Sequence, residues 1–287
     1  MCGMASGFWE QVVADGLKVP DTRPLDEMTA DLTRMLGDTD PHVRDGIAYP
    51  TLATWVADGV YDDLLTGLGD GICDGLDVGI GENGTDSVFR RSFSSLIVAE
   101  CIERDTASAL VAPNVILRWG DRLAGWLVRE NDLRGFVADK GWAHAVAHGA
   151  DAMGALAQSP QIGRLELTVI LDVIADRLLL PTEEFFVCGE DDRLARATMH
   201  ILRRDVLGLE VLEPWVARVA AGARVKGGNE TRNPFEVSGN VQSYLRSLHL
   251  QLGLGSKHPQ VRSDLLLVLI DQLRATNTAY FVPPHRH

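Results

Sequence analysis

Apolar runs long enough to cross a bilayer are missing from this chain. Stretches such as Leu178 to Leu180, stopped by Pro181, fall far short of the roughly 20 residues a spanning helix needs. Paired cysteines are missing too. Cys2, Cys73, Cys101 and Cys188 are scattered with no Cys-x-x-Cys spacing, which excludes a disulfide framework and a cysteine zinc site. They read as small buried hydrophobes, and the acidic turn Gly189-Glu190-Asp191-Asp192 disfavours a thiolate at Cys188. Positive charge is scarce: 27 Lys and Arg stand against 40 Asp and Glu, and the net charge of -13 opposes the attraction to phosphate on which nucleic-acid binding depends. The start of the chain, Met1-Cys2-Gly3-Met4 running to Glu10 and Asp15, has neither the basic region nor the apolar core of a secretory signal, so the cytoplasm is the expected location. No serine nucleophile motif or dinucleotide fingerprint occurs, and Gly79-Ile80-Gly81-Glu82-Asn83-Gly84 lacks the strand before and the Lys-Ser/Thr after that a phosphate loop requires.

Persistent β-branched alternation is absent as well, while apolar residues recur at helical spacing. Val261, Leu265, Val268 and Leu269 form one stripe, with Arg262, Asp264 and Asp271 elsewhere on the same helix. The expected class is all-α, in a single domain over residues 1–287. Helix starts are marked by acids or amides at Asp40, Asp86, Asp139, Asp191 and Asn240, at successive offsets of 46, 53, 52 and 49 residues. Such an interval holds two helices and two turns, slightly more than the roughly 40 to 47 residues of HEAT and armadillo units. Leu32 to Trp55, with Asp40-Pro41-His42-Val43-Arg44 at its centre, resembles a HEAT repeat, whose second helix commonly opens with Asp-Pro-x-Val-Arg. His258-Pro259-Gln260-Val261-Arg262 echoes it. The resemblance implies a HEAT-like α-solenoid of about five helical hairpins plus terminal helices. Breaks are expected at 79–84, 133–139, 181–190 and 226–239, with Gly227 to Pro234 as a connector or a flap over a groove.

The richest stretch runs from Glu130 to Asp151. Read as a helix from Asp139, it places His148 about 40° from His144 and Asp151 about 20° on the other side, with Trp142, Val146 and Met153 on another face. Three readings follow. The histidines brace neighbouring hairpins, with Asp151 fixing a tautomer; or they line a polar ligand pocket; or His144, His148 and Asp151 hold a metal through three ligands. A zinc-protease mechanism is excluded because Ala145 stands where Glu is needed, and no His-Glu dipeptide of the deoxyhypusine hydroxylase kind occurs. The pattern Glu-x-Asp-x-Arg-Gly with Gly-Trp-Ala-His-x-x-x-His-Gly-x-Asp, together with Gly189 to Leu194 and Asn240 to Leu248, resembles a bacterial family of unknown function. That resemblance implies a shared fold and importance for these positions, but no reaction.

Further polar stripes are Glu190 with Arg193 and His200, and Asn240, Tyr244, Ser247 and Gln251 opposite Val241, Leu245, Leu248 and Leu252. Arg134 either clamps an anion or braces its own loop. If equivalent helices line one inner surface, Arg134, His144, His148, Asp151, Glu190, Arg193, Asn240 and Tyr244 converge on a groove. The expectation is a binding protein for a small molecule or peptide, with an acid/base or metal-assisted enzyme in the same groove as the alternative. The cofactor, if any, is left open. A HEAT-like alkylpurine DNA glycosylase is disfavoured by the acidic charge.

Overall fold

The computed structural model describes residues 2–224, 233 and 235–281. It is mostly helical, with a two-stranded hairpin, and gathers into two compact units, residues 1–161 and 162–287. Among the described residues no helix is long and apolar enough to cross a membrane.

The first unit contains α1 (Cys2–Ala14), α2 (Leu25–Met35), a π-helical segment (His42–Ala48) running directly into α3 (Tyr49–Ala57), α4 (Leu65–Cys73), α5 (Ser87–Ser108), α6 (Pro113–Arg129), strands β1 (Phe136–Val137) and β2 (Gly141–Trp142), and α7 (Ala145–Gln158). Helix α5 packs on α3, α4 and α7, and α6 on α4 and α7. Close approach depends on missing side chains. A Cβ on Gly69 would stand 2.1 Å from the Trp119 ring, and one on Gly149 would stand 2.6 Å from Leu127 Cδ1, so α4 and α7 reach α6 only because both positions are glycine. Trp119 Nε1 donates to Asp70, so the buried indole keeps a partner as α4 and α6 close on it.

The second unit contains α8 (Arg164–Leu179), α9 (Glu190–Leu202), α10 (Leu209–Gly222), α11 (Phe235–Leu254), α12 (Arg262–Thr276) and α13 (Thr278–Phe281). Helix α10 lies against α8 and α12, α9 lies against α11, and the consecutive pairs α8 with α9 and α10 with α11 also touch.

Asp86 immediately precedes α5, and Asp191 is in the first turn of α9, where an acid suits the helix dipole. The Asp40 carboxylate accepts the His42 amide at the start of the π-helical segment. Asp139 departs from expectation. It sits in the hairpin turn with φ +63°, followed by Gly141 at φ +77°, and Lys140 N–H donates to Val137 O. Asp and Gly tolerate the left-handed region, so the chain reverses where a helix was expected to begin. Helix α7 starts only at Ala145, after His144. Asn240 lies inside α11, which begins at Phe235. The proposed flap Gly227 to Pro234 lies outside the described residues, Asn233 excepted.

The two Pro-x-Val-Arg arginines do the same work. Arg44 Nη1 donates to Asp38 O in the turn after α2, and Arg262 donates to Leu252 O and Gly253 O in the last turn of α11, where the helix end leaves carbonyls open; each arginine ties its own helix to the end of the one before. Cys73 and Cys101 are buried, and burial pushes both thiols up, Cys73 to about 12.

Candidate functional site

In the first unit the hairpin and the start of α7 form one aromatic cluster. Ala143 N–H and His144 N–H donate to Gly135 O and Arg134 O, which ties the segment before α7 to the chain leaving α6. His144 closes this turn at φ +51°, a left-handed conformation uncommon outside glycine. Its ring stacks on Trp142 at 4.4 Å between centroids and meets His148 edge-on at 5.7 Å. Trp142 therefore lies beside His144 rather than on an opposite face, because it precedes the helix. Both histidines are buried, whereas Trp142 and its edge-on neighbour Phe136 are exposed by 42% and 58%.

Ser92 sets the state of His148. Its hydroxyl lies 2.7 Å from His148 Nδ1 and also donates to the Ala143 carbonyl. A carbonyl oxygen only accepts, so the single hydroxyl proton goes to Ala143 O and His148 Nδ1–H must donate to Ser92 Oγ. In the neutral ring the lone pair is then on Nε2. This polarity is the reverse of a catalytic Ser-His pair, in which the hydroxyl donates to the imidazole, so Ser92 positions His148 and is not an activated nucleophile.

Asp151 is partly buried one turn along α7, where its charge acts on Tyr49. The Tyr49 hydroxyl donates to Glu100 at 2.9 Å. Burial first, then the Glu100 and Asp151 charges, raise the phenol's pKa, and burial also raises that of Glu100. Arg134 braces its own loop: Nε and Nη2 grip Asp132, and Nη2 also donates to Thr85 O. Upstream, the fully buried Glu130 carboxylate accepts from Arg91 Nε and Nη2, Trp126 Nε1 and the Asp132 amide. The Glu-x-Asp-x-Arg pattern thus fixes the chain between α6 and the hairpin.

In the second unit Glu190 opens α9, is buried, and accepts the Cys188 amide at 2.8 Å; burial raises its pKa. Arg193 follows one turn later and lowers that pKa through its charge. Asn240 accepts the Phe186 amide and donates to Glu184 O, clamping the chain ahead of α9. Tyr244 is 0% exposed. Thr198 donates to Leu194 O, so the Tyr244 hydroxyl donates to Thr198 at 2.7 Å. Ser247 and Gln251 bond to Asp191 and to Asp192 O. The polar stripe of α11 is therefore a seam sealing it to α9 and the preceding chain, with its apolar residues buried as well. Tyr244→Phe is expected to lower stability by about 1 kcal/mol, the net worth of one buried hydrogen bond, measurable by urea denaturation.

Sequence reasoning missed Ser92 and Phe93. The available signal was Arg91-Ser92-Phe93-Ser94-Ser95 between Val88-Phe89 and Leu96-Ile97-Val98, a helix with polar residues at positions that leave no solvent face.

No curated protein and no solved structure matches the chain. The family model described as Protein of unknown function (DUF2785) matches residues 76–250, more than half of the chain, so the chain belongs to this family.

Proposed function

We propose that this is a cytoplasmic HEAT-like helical-repeat protein that binds a small molecule or peptide at a site built on His144, His148 and the exposed face of Trp142. Support for the repeat comes from partners that recur about one helical hairpin apart. Tyr49 pairs with Glu100, Arg118 with Asp70, Ser92 with His148, Arg164 with Glu210 and Thr198 with Tyr244, at separations of 51, 48, 56, 46 and 46 residues. Alternate helices stacking on one another, α8 on α10 on α12 and α9 on α11, are what successive hairpins produce.

The observation carrying the site is His144 itself. A histidine that only fills core has no need of left-handed backbone, and such strain collects where a side chain is aimed for use. An acid/base enzyme on the same residues is the second reading, favoured by the His148 tautomer, which presents Nε2 as the basic nitrogen.

The test is a fragment library screened by ligand-observed NMR against the full chain, then against His148→Ala and His144→Asn, since Asn tolerates the left-handed region. Hits that weaken at least about tenfold in both variants, with helix content unchanged, support the reading; this is the loss of one good hydrogen bond to a ligand. Large drops in Tm with every hit retained would show both histidines to be braces. Elemental analysis of protein purified without chelators tests the metal-assisted form of the second reading.

A further inference from the structure

Away from the histidines, a cavity of about 930 Å³ opens between α2 and α4. Its walls are apolar, with Leu25, Leu64, Leu68, Ile72 and Val78 among them, and Leu64 and Val78 are 58% and 47% exposed. Arg90 of α5 also lines it. Every other arginine described in the first unit is paired with a carboxylate: Arg23 and Arg34 with Asp31, Arg44 with Asp45, Arg91 with Glu130, Arg104 with Asp62, Arg118 with Asp70, Arg122 and Arg129 with Asp77, and Arg134 with Asp132. Arg90 has no hydrogen-bond or ion-pair partner among the described residues, and its Nε is buried without one. The Ser94 hydroxyl, one turn further along α5, is buried and unpartnered too. Both approach Gly75, where a Cβ would stand 2.8 Å from Arg90 Nε and 2.1 Å from Ser94 Oγ.

The two helices have a polar direction here. Arg90 lies by Gly37 and Gly75, just beyond the C-terminal ends of α2 and α4, while the acids on the cavity wall, Asp26 and Asp63, are exposed near the N-terminal ends. The helix dipoles account for a cation at this end but give it no hydrogen bond. Burial lowers the pKa of the unpaired guanidinium, which an anion would relieve. Helix α4 adds a second sign. Gly67 and Gly71, four residues apart on the face toward the cavity, have no atom of the described residues within 4 Å of where a Cβ would be, unlike Gly69, where Trp119 fills the space. Two glycines in one short helix weaken it, and nothing among the described residues uses the space they leave.

We infer that this groove binds an aliphatic carboxylate, its head on Arg90 and its tail along Leu68, Ile72 and the open face at Gly67 and Gly71. The planar guanidinium fork matches a carboxylate, as Arg91, Arg104 and Arg134 demonstrate in this same unit by gripping theirs through Nε and Nη2. The tail supplies the apolar contact, and Asp26 and Asp63 repel a head group docked the other way round.

The experiment is calorimetric titration of the full chain with dodecanoate below its micellar concentration, with dodecanol and dodecylammonium as controls. Dodecanoate is expected to bind, and Arg90→Gln to weaken it by about tenfold or more, as loss of a charged hydrogen-bonded pair requires. Gly71→Leu fills the groove with a better helix former, so it is expected to raise Tm and abolish binding, which keeps the test decisive if Arg90→Gln folds poorly. No dodecanoate binding, equal binding by Gly71→Leu, or dodecanol or dodecylammonium binding as tightly as dodecanoate would each overturn the proposal.

Discussion

Glu130→Ala is expected to destabilise the protein by about 3–5 kcal/mol, the range found when one partner of a buried ion pair is removed. Arg91 and Glu130 are both 0% exposed, and the two-point contact, 2.6 Å from Nε and 2.8 Å from Nη2, neutralises a guanidinium that has no water to turn to. Trp126 Nε1 and the Asp132 amide donate to the same carboxylate, so the deletion strands four N–H groups at once. Arg91 cannot swing away, because Nη1 is held by Val78 O, Gly79 O and the Ser87 hydroxyl. The double replacement Arg91→Met with Glu130→Leu is expected to recover much of the loss, since it removes the buried charge as well as its partner. Urea denaturation at constant m-value is the measurement, and a loss below about 1 kcal/mol for Glu130→Ala would refute the account.

What could be read from the chain alone was the helical class and some of the helix starts. Helical periodicity at Val261, Leu265, Val268 and Leu269, and acids at Asp40, Asp86 and Asp191, reported local backbone preference, and local preference survives folding. Asp139 was read as the same signal, yet Asp139-Lys140-Gly141 between Phe136-Val137 and Trp142 carries turn chemistry, and two left-handed residues made a hairpin of it. That one substitution of turn for helix moved Trp142 from the far face onto His144. The α11 stripe shows the other limit. Periodicity placed Asn240, Tyr244, Ser247 and Gln251 on one side of a helix, but whether that side meets solvent or another helix depends on a neighbour roughly fifty residues away in sequence. The groove by Arg90 was equally hidden, since its lone guanidinium stands out only once each of the other described arginines of the first unit has found its acid.

Arg44→Met is the second large effect, expected at about 3 kcal/mol, and it connects the repeat motif to the candidate site. Arg44 is fully buried and lies over Phe89 at 4.1 Å and Phe93 at 5.0 Å. Its Nη1 donates to Asp38 O, and Nη2 to Asp45 and to Lys140 O in the hairpin turn. Methionine can follow the aliphatic stem but leaves two carbonyls and a half-buried carboxylate without their donor. Burial already raises the Asp45 pKa against the lowering effect of Arg44, so the variant raises it further. A carboxyl whose folded pKa is raised gives stability that is present at low pH and lost as pH rises through that pKa, so the deficit of the variant shrinks on acidification. Lysine retains the charge without the fork or the stacking and is expected to rescue only in part. The Lys140 carbonyl anchors the turn that carries Trp142, and Phe93 meets the His148 ring edge-on at 5.0 Å, so loss of Arg44 loosens the aromatic cluster from both sides. Hydrogen exchange should therefore accelerate in residues 136–148 more than in α9 and α11. Uniform acceleration in both units would mean that Arg44 supports global stability alone, with no selective hold on the hairpin.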